Sequence, residues 1–174
     1  MDGRQIVIVE DEDSARLGME RALKKKGHNV ISFAESPKAL DFIKSNESDI
    51  DLVITDLRMP ELDGIGLIQE IVKLNSDISI ILVTAFGSIE SAVEAMKLGA
   101  EDYLSKPLDM FELRKRVEKI VGSKKLKREV DMLKQRLDKK YSFSNIIGNS
   151  PAMEKLFEQI LQVAPTSSTV LITG

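Results

Sequence analysis

Asp51-Leu52-Val53-Ile54-Thr55-Asp56-Leu57-Arg58-Met59-Pro60 is the stretch whose reading decides the fold. Apolar and β-branched residues at 52–55 run straight into a single carboxylate, and Pro60 and Gly64 then punctuate a loop. A short apolar run between turn signals is the pattern of a strand buried on both faces. Asp56 therefore belongs at the carboxyl end of a parallel strand. In an open α/β sheet that edge is where ligands bind.

The same pattern recurs on either side. Residues 6–9, 29–33, 78–83 and 102–104 read as four further strands. Helical stretches stand between them. Leu17, Ala22 and Leu23 carry helical spacing over 14–26, with Gly27 as the stop. Ser36-Pro37 reads as an N-cap with proline in the first turn of a helix through Ile43. Leu67, Ile68, Ile71 and Leu74 form a stripe after the Gly64 loop. Ser88 starts a helix with Ile89, Val93 and Met96 on one face and Gly99 as its cap, and another helix begins near Asp109. Strands alternating with helices at this pitch give a parallel sheet. Such units fill about 120 residues, a normal domain size.

Composition sets bounds. The chain has 174 residues and a net charge of -3, enough for one well-buried domain and an appendage. With 43% hydrophobic and 30% charged residues it has an ordinary globular composition. It has no cysteine, which excludes a disulfide framework, a zinc ribbon and a thiol nucleophile. The apolar run after the N-terminus is too short for a signal peptide, and no segment has the length to span a bilayer. A cytoplasmic protein with no membrane contact is the expectation.

Beyond residue 113 the pattern changes. Leu113, Val117 and Ile120 continue a stripe facing the domain, and Gly122 reads as a break or hinge. Leu126, Val130, Leu133 and Leu137 then follow a 4-3-4 spacing, a coiled-coil seam of under two heptads. Lys and Arg are enriched over 114–140, which reads first as a solvated helix face, with phosphate-backbone binding the lesser alternative because no aromatic residues interleave with the charges. Composition shifts again at Tyr141-Ser142-Phe143-Ser144-Asn145. Ser150-Pro151 starts a helix marked by Leu156, Ile160 and Val163, and 169–173 reads as a sixth apolar strand. A strand that runs out at Gly174 reads as the opening of a domain cut off soon after it began.

The chemistry lies at the strand ends. Glu10 and Asp11 follow the first strand, Asp56 the third, Thr84 the fourth and Lys106 the fifth. A doubly wound sheet brings these ends to one edge. Three carboxylates crowded together repel unless a cation sits among them. With oxygen ligands alone, magnesium is the natural choice. Lys106 adds a mobile positive charge, and Thr84 a hydroxyl donor for a phosphoryl oxygen. This set is equipment for phosphoryl transfer, with Asp56 as the in-line nucleophile. Asp13 reads as an N-cap of the first helix.

These residues carry a resemblance. Glu10-Asp11, Asp56, Thr84-Ala85, Tyr103 and Lys106-Pro107 make the chain resemble, from about residue 5 to 121, the receiver domain of bacterial two-component response regulators. The resemblance implies a flavodoxin-like, doubly wound, five-stranded parallel sheet. It implies Asp56 as phosphoacceptor for a sensor histidine kinase, and Mg2+ bound by Asp11, Asp56, the Arg58 carbonyl and, through water, Glu10. It implies Lys106 paired with Asp56 across a cis Lys106-Pro107 bond, and a switch at Thr84 and Tyr103. The segments 146–153 and 170–174 resemble the opening of the AAA+ domain of NtrC-type activators of sigma-54 RNA polymerase, with Gly174 as the first glycine of a truncated P-loop.

The expected organisation is a receiver at 1–121, a coiled-coil linker helix at 122–140 and a truncated AAA+ start at 141–174. Homodimerisation through linker and receiver follows from the resemblance. Sigma-54 polymerase, ATP and promoter DNA would be partners only of a full-length protein. The chain would be no enzyme beyond weak self-dephosphorylation. One rival is a phosphorylation-independent dimerisation module with a vestigial acidic site. An aspartyl phosphatase would need a second carboxylic acid two residues after Asp56, where Arg58 stands.

Overall fold

The computed structural model describes residues 5–85, 89–140, 150–166 and 169–171. Five strands form one parallel sheet: β1 (Gln5–Val9), β2 (Asn29–Phe33), β3 (Ile50–Asp56), β4 (Ser79–Thr84) and β5 (Asp102–Ser105), in the order β2-β1-β3-β4-β5. This is the doubly wound, flavodoxin-like order, whose topological switch point falls between β1 and β3. The helices between and after them are α1 (Asp13–Lys24), α2 (Ser36–Ser45), α3 (Gly64–Leu74), α4 (Ile89–Leu98), α5 (Met110–Lys140) and α6 (Pro151–Val163).

Strand alternation divides the core into two layers. Val7, Val9, Val53, Ile80 and Leu82 face α2, α3 and α4, packing on Ala39, Ile43, Leu67, Ile71 and Ala95. Ile6, Ile8, Leu52, Ile54, Ile81 and Val83 face the other way, against Met19 and Leu23 of α1 and Leu113, Val117 and Ile120 of α5. Every residue of β3 is buried, as expected of a strand covered on both faces.

Several expectations need correction. Asp13 and Ser36 are not caps. Glu12 and Glu35 occupy those positions without side-chain capping, while Asp13 pairs with Arg16 and the buried Ser36 hydroxyl donates to the Met59 sulfur. The extended backbone sits on each glutamate, so Asp13 and Ser36 are already helical and each helix begins one residue earlier than expected. Among the described side chains of α4, Ala95 is buried, and Val93 and Met96 of the expected stripe are half-exposed. The side chain of Ile89, and Ser88 as a whole, lie outside the described residues. Gly122 does not break α5, which runs through it. A glycine interrupts a helix only where the backbone leaves the helical region, and helix continues on both sides here.

The chain divides into two compact units, Met1–Lys125 and Leu126–Gly174. At the end of the first, the Lys124 ammonium donates to the backbone carbonyls of Asp51 and Asp77, at the amino edge of the sheet. In the second, Leu126, Val130 and Leu133 are exposed on α5, and the Leu137 side chain lies outside the described residues. The Ser150 hydroxyl caps α6 by accepting from the Met153 amide, with Pro151 in the first turn. Among the described residues of the expected sixth strand, 169–171, no strand forms. Residues 169–171 have no regular structure, with Leu171 at 86% exposure, and 172–173 lie outside the described residues. A strand needs a neighbour to satisfy its backbone N–H and C=O groups, and among the described residues none is paired with it.

Two glycines give opposite outcomes. A Cβ on Gly64 would lie 2.2 Å from the Asp56 carbonyl oxygen, so backbone would have to move. A Cβ on Gly122 would meet nothing within 4 Å. Gly64→Ala should cost roughly 1–3 kcal/mol in chemical denaturation. Gly122→Ala should gain about 0.5–1 kcal/mol by favouring the helix.

Candidate functional site

β1 and β3 pair in register, with Val9 beside Thr55. Each strand then releases its next residues at the carboxyl edge, where the sheet order reverses. Glu10 leaves β1 fully buried, its amide donating to the Phe33 carbonyl at 3.0 Å. Asp56 ends β3 at 8% exposure, and Asp11 is exposed beside them. One carboxylate oxygen from each of Glu10, Asp11 and Asp56 can be chosen so that all lie within 4.8 Å of one another.

Lys106 joins two of these groups. Its amide donates to the Thr84 carbonyl at 2.8 Å, which fixes the start of the loop after β5. Its ammonium donates to Asp56 Oδ2 at 2.8 Å and to Glu10 Oε1 at 3.0 Å. Glu10 Oε2 also lies 2.8 Å from the ammonium, but out of line for a hydrogen bond, and among the described residues no other group hydrogen-bonds to it. Asp56 Oδ1 accepts from the Leu57 amide at 2.6 Å and, more weakly, from the Arg58 amide at 3.4 Å.

Electrostatics follow this geometry. Burial pushes the Glu10 carboxyl above its usual value; the Lys106 hydrogen bond opposes that shift and the Asp56 charge adds to it. Burial alone would lower the Lys106 ammonium, but the hydrogen bonds to Asp56 and Glu10 outweigh it and hold the group above its usual value. Against three carboxylates there is one ammonium in direct contact. An all-oxygen cluster with a buried carboxylate oxygen lacking an aligned donor fits a hard divalent cation.

The other expected residues distribute unevenly. Thr84 ends β4 at the same edge, 1% exposed, next in register to Ser105. The Lys106-Pro107 peptide is cis. Arg58 lies in the loop after β3 with an exposed side chain. Tyr103 is half-exposed on β5, opposite Leu82. Gly174 lies outside the described residues.

Two residues of the site escaped sequence reasoning. Gly64 lets α3 start against the Asp56 carbonyl, and its amide donates to the Leu57 carbonyl at 2.9 Å. Its signal was present, a glycine in the loop after the acidic strand, but it reads equally as a plain turn. Arg16 lies across the β1–α1 loop and donates to the Glu10 carbonyl at 2.8 Å. A single arginine near a helix start carries no such signal.

Removing the shared ammonium should expose the charge problem. Lys106→Met should destabilise the protein by on the order of 2–3 kcal/mol near pH 8. The loss should shrink toward pH 5. Without the ammonium the folded-state proton affinity of Glu10 rises further, so the protonated carboxyl takes over as pH falls and the repulsion with Asp56 is relieved. Denaturation curves across that pH range check the sign.

Comparisons with known proteins bear on the family and the fold. Residues 6–118 match the family model described as the response regulator receiver domain. The transcriptional regulatory protein ZraR of Escherichia coli (strain K12) is 37% identical over 174 residues, 99% of this chain and 38% of that protein. The regulatory protein AtoC of the same organism is 34% identical over 170 residues, 98% of this chain and 36% of its own length. The chain thus spans little more than a third of the curated relatives it matches. A receiver domain structure from Clostridium thermocellum superposes with a TM-score of 0.67 at 32% identity, covering 71% of this chain and 98% of that one. NtrX from Brucella abortus gives 0.69 at 32% identity, over 94% of this chain and 35% of that one. With a family match over residues 6–118, carboxylates from β1 and β3 meeting at the switch point and a lysine from β5 shared between them, the chain belongs to the response regulator receiver domain family.

Proposed function

We propose that this receiver is a phosphorylation switch in which Asp56 accepts a phosphoryl group from the phosphohistidine of a sensor histidine kinase. The Lys106 ammonium held between Glu10 and Asp56 carries this reading, because it pairs with the buried Asp56 carboxylate and holds it aligned at the carboxyl edge of the sheet. An Asp56 oxygen attacks the phosphorus. A P–O bond forms as the P–N bond to the donor imidazole breaks, and the imidazole leaves with the bonding pair. Lys106 then moves its charge toward the phosphoryl oxygens, and Thr84 donates its hydroxyl to one of them.

Asp11, Asp56 and the Arg58 carbonyl would hold Mg2+, with Glu10 acting through water. When bound, that ion supplies the positive charge that offsets the phosphoryl oxygens. The response passes from Thr84 and Tyr103 to α4 and β5, and Pro107 begins the loop that leads into α5. The chain is a phosphoacceptor, with at most slow self-dephosphorylation.

The organisation proposed with this function is a receiver at 1–121, a linker helix at 122–140 and the beginning of an AAA+ domain at 141–174. Exposed Leu126, Val130 and Leu133 on α5 support a linker seam that pairs two protomers. In a full-length protein, sigma-54 polymerase, ATP and promoter DNA would be the further partners, with Gly174 opening the P-loop. A cytoplasmic site of action fits this role. Among the described residues no helix is long and apolar enough to cross a membrane.

Incubation with magnesium and a small-molecule phosphodonor, followed by intact-protein mass, tests the reading. One phosphoryl increment is expected in the parent chain and none in Asp56→Asn. No increment with any donor or divalent cation would leave a phosphorylation-independent dimerisation module.

A further inference from the structure

Arg16 bonds, through its side chain, the backbone that carries Glu10 and Asp11. It sits in the first turns of α1, its side chain 15% exposed. One guanidinium nitrogen donates to the Glu10 carbonyl at 2.8 Å and, at 3.5 Å, to the Asp11 carbonyl. The other nitrogen bonds the carboxylate of Asp13, which is itself 80% exposed. The loop has a second tie, from the Glu12 amide to Glu10 Oε1 at 3.3 Å.

We propose that Arg16 is a positioning residue for the acidic cluster, orienting the two peptide units from which Glu10 and Asp11 project. The inference rests on the cation-binding reading given above. Three points carry it. A guanidinium is a rigid planar fork, so two donations to successive carbonyls fix the loop in a way that a lysine point charge does not. The guanidinium adds a positive charge behind carboxylates that repel one another. Its bond to Asp13 does not account for the arrangement, because that partner is exposed and screened, an ion pair of small worth. Of its bonds, the short one to the Glu10 carbonyl is the one partly protected from solvent, while the longer one to the Asp11 carbonyl is exposed.

Partners of this kind, which hold ligands without touching the metal, typically change metal affinity about 10–100-fold when removed. The test uses the whole chain and magnesium chloride alone. Calorimetric titration gives the Mg2+ affinity of the parent, Arg16→Met, Arg16→Lys and Asp13→Asn. Hydrogen exchange of the Glu12 amide in magnesium-free buffer reports loop order independently of the ion. Arg16→Met should weaken Mg2+ binding about tenfold and speed exchange at Glu12. Arg16→Lys should recover only part of both. Asp13→Asn, which removes the ion pair and keeps the carbonyl bonds, should bind within about threefold of the parent. Parental affinity and exchange in Arg16→Met would overturn the inference and leave the cation site standing. So would an equal loss in Asp13→Asn. A parent chain that binds no Mg2+ would overturn the cation site itself, and this inference with it.

Discussion

Two buried carboxylates share one ammonium at the carboxyl edge of this sheet, and the rest of the first unit is arranged to make that tolerable. Burying a charge is costly unless it is paired and hydrogen-bonded. Glu10 and Asp56 meet that condition only because β1 and β3 lie side by side and β5 delivers Lys106 from the far end of the sheet. Three carboxyl groups gather at the edge, and the Lys106 ammonium contacts two of them. Such a site is poised for a cation and for a group that redistributes charge. A phosphoryl group on Asp56 would do the latter, since it carries more charge than the carboxylate it replaces and draws on the same lysine.

What surrounds the site gives that charge something to act on. The Lys106 amide is tied to the Thr84 carbonyl, so the ends of β4 and β5 share a backbone link. α5 begins just beyond and lays Leu113, Val117 and Ile120 on one face of the sheet. Lys124 then holds the helix to the carbonyls of Asp51 and Asp77 at the opposite edge. The helix that continues into the basic segment with the exposed leucines is thereby anchored at both edges of the sheet.

The fold was legible because its signals are redundant. Each strand is a short apolar run between turn residues, and five in a row at constant pitch leave few topologies. The site was legible for a related reason: a parallel sheet collects residues at strand ends, so sequence position alone predicts that Glu10, Asp56 and Lys106 meet. What failed were inferences from single residues. Asp13 and Ser36 look like caps, yet the extended backbone sits one residue earlier, and Ser36 turns its hydroxyl to Met59. Gly122 looks like a break, but a helix tolerates an exposed glycine at a modest cost. Residues 169–171 look like a strand, and propensity without a pairing neighbour does not make one. Arg16 and Gly64 act on backbone atoms, which a sequence pattern does not display.

The measurement that bears most directly on the central claim is the chemical location of the phosphoryl group. An acyl phosphate is reduced by borohydride, and an aspartyl phosphate leaves homoserine in its place. After phosphodonor treatment and reduction, peptide sequencing by mass spectrometry should find homoserine at position 56 and at no other acidic residue. Homoserine at position 11, 2-amino-5-hydroxyvalerate at position 10 (the product of a reduced glutamyl phosphate), or a phosphoryl group that resists reduction on a hydroxyl side chain would contradict the assignment of Asp56 as the phosphoacceptor.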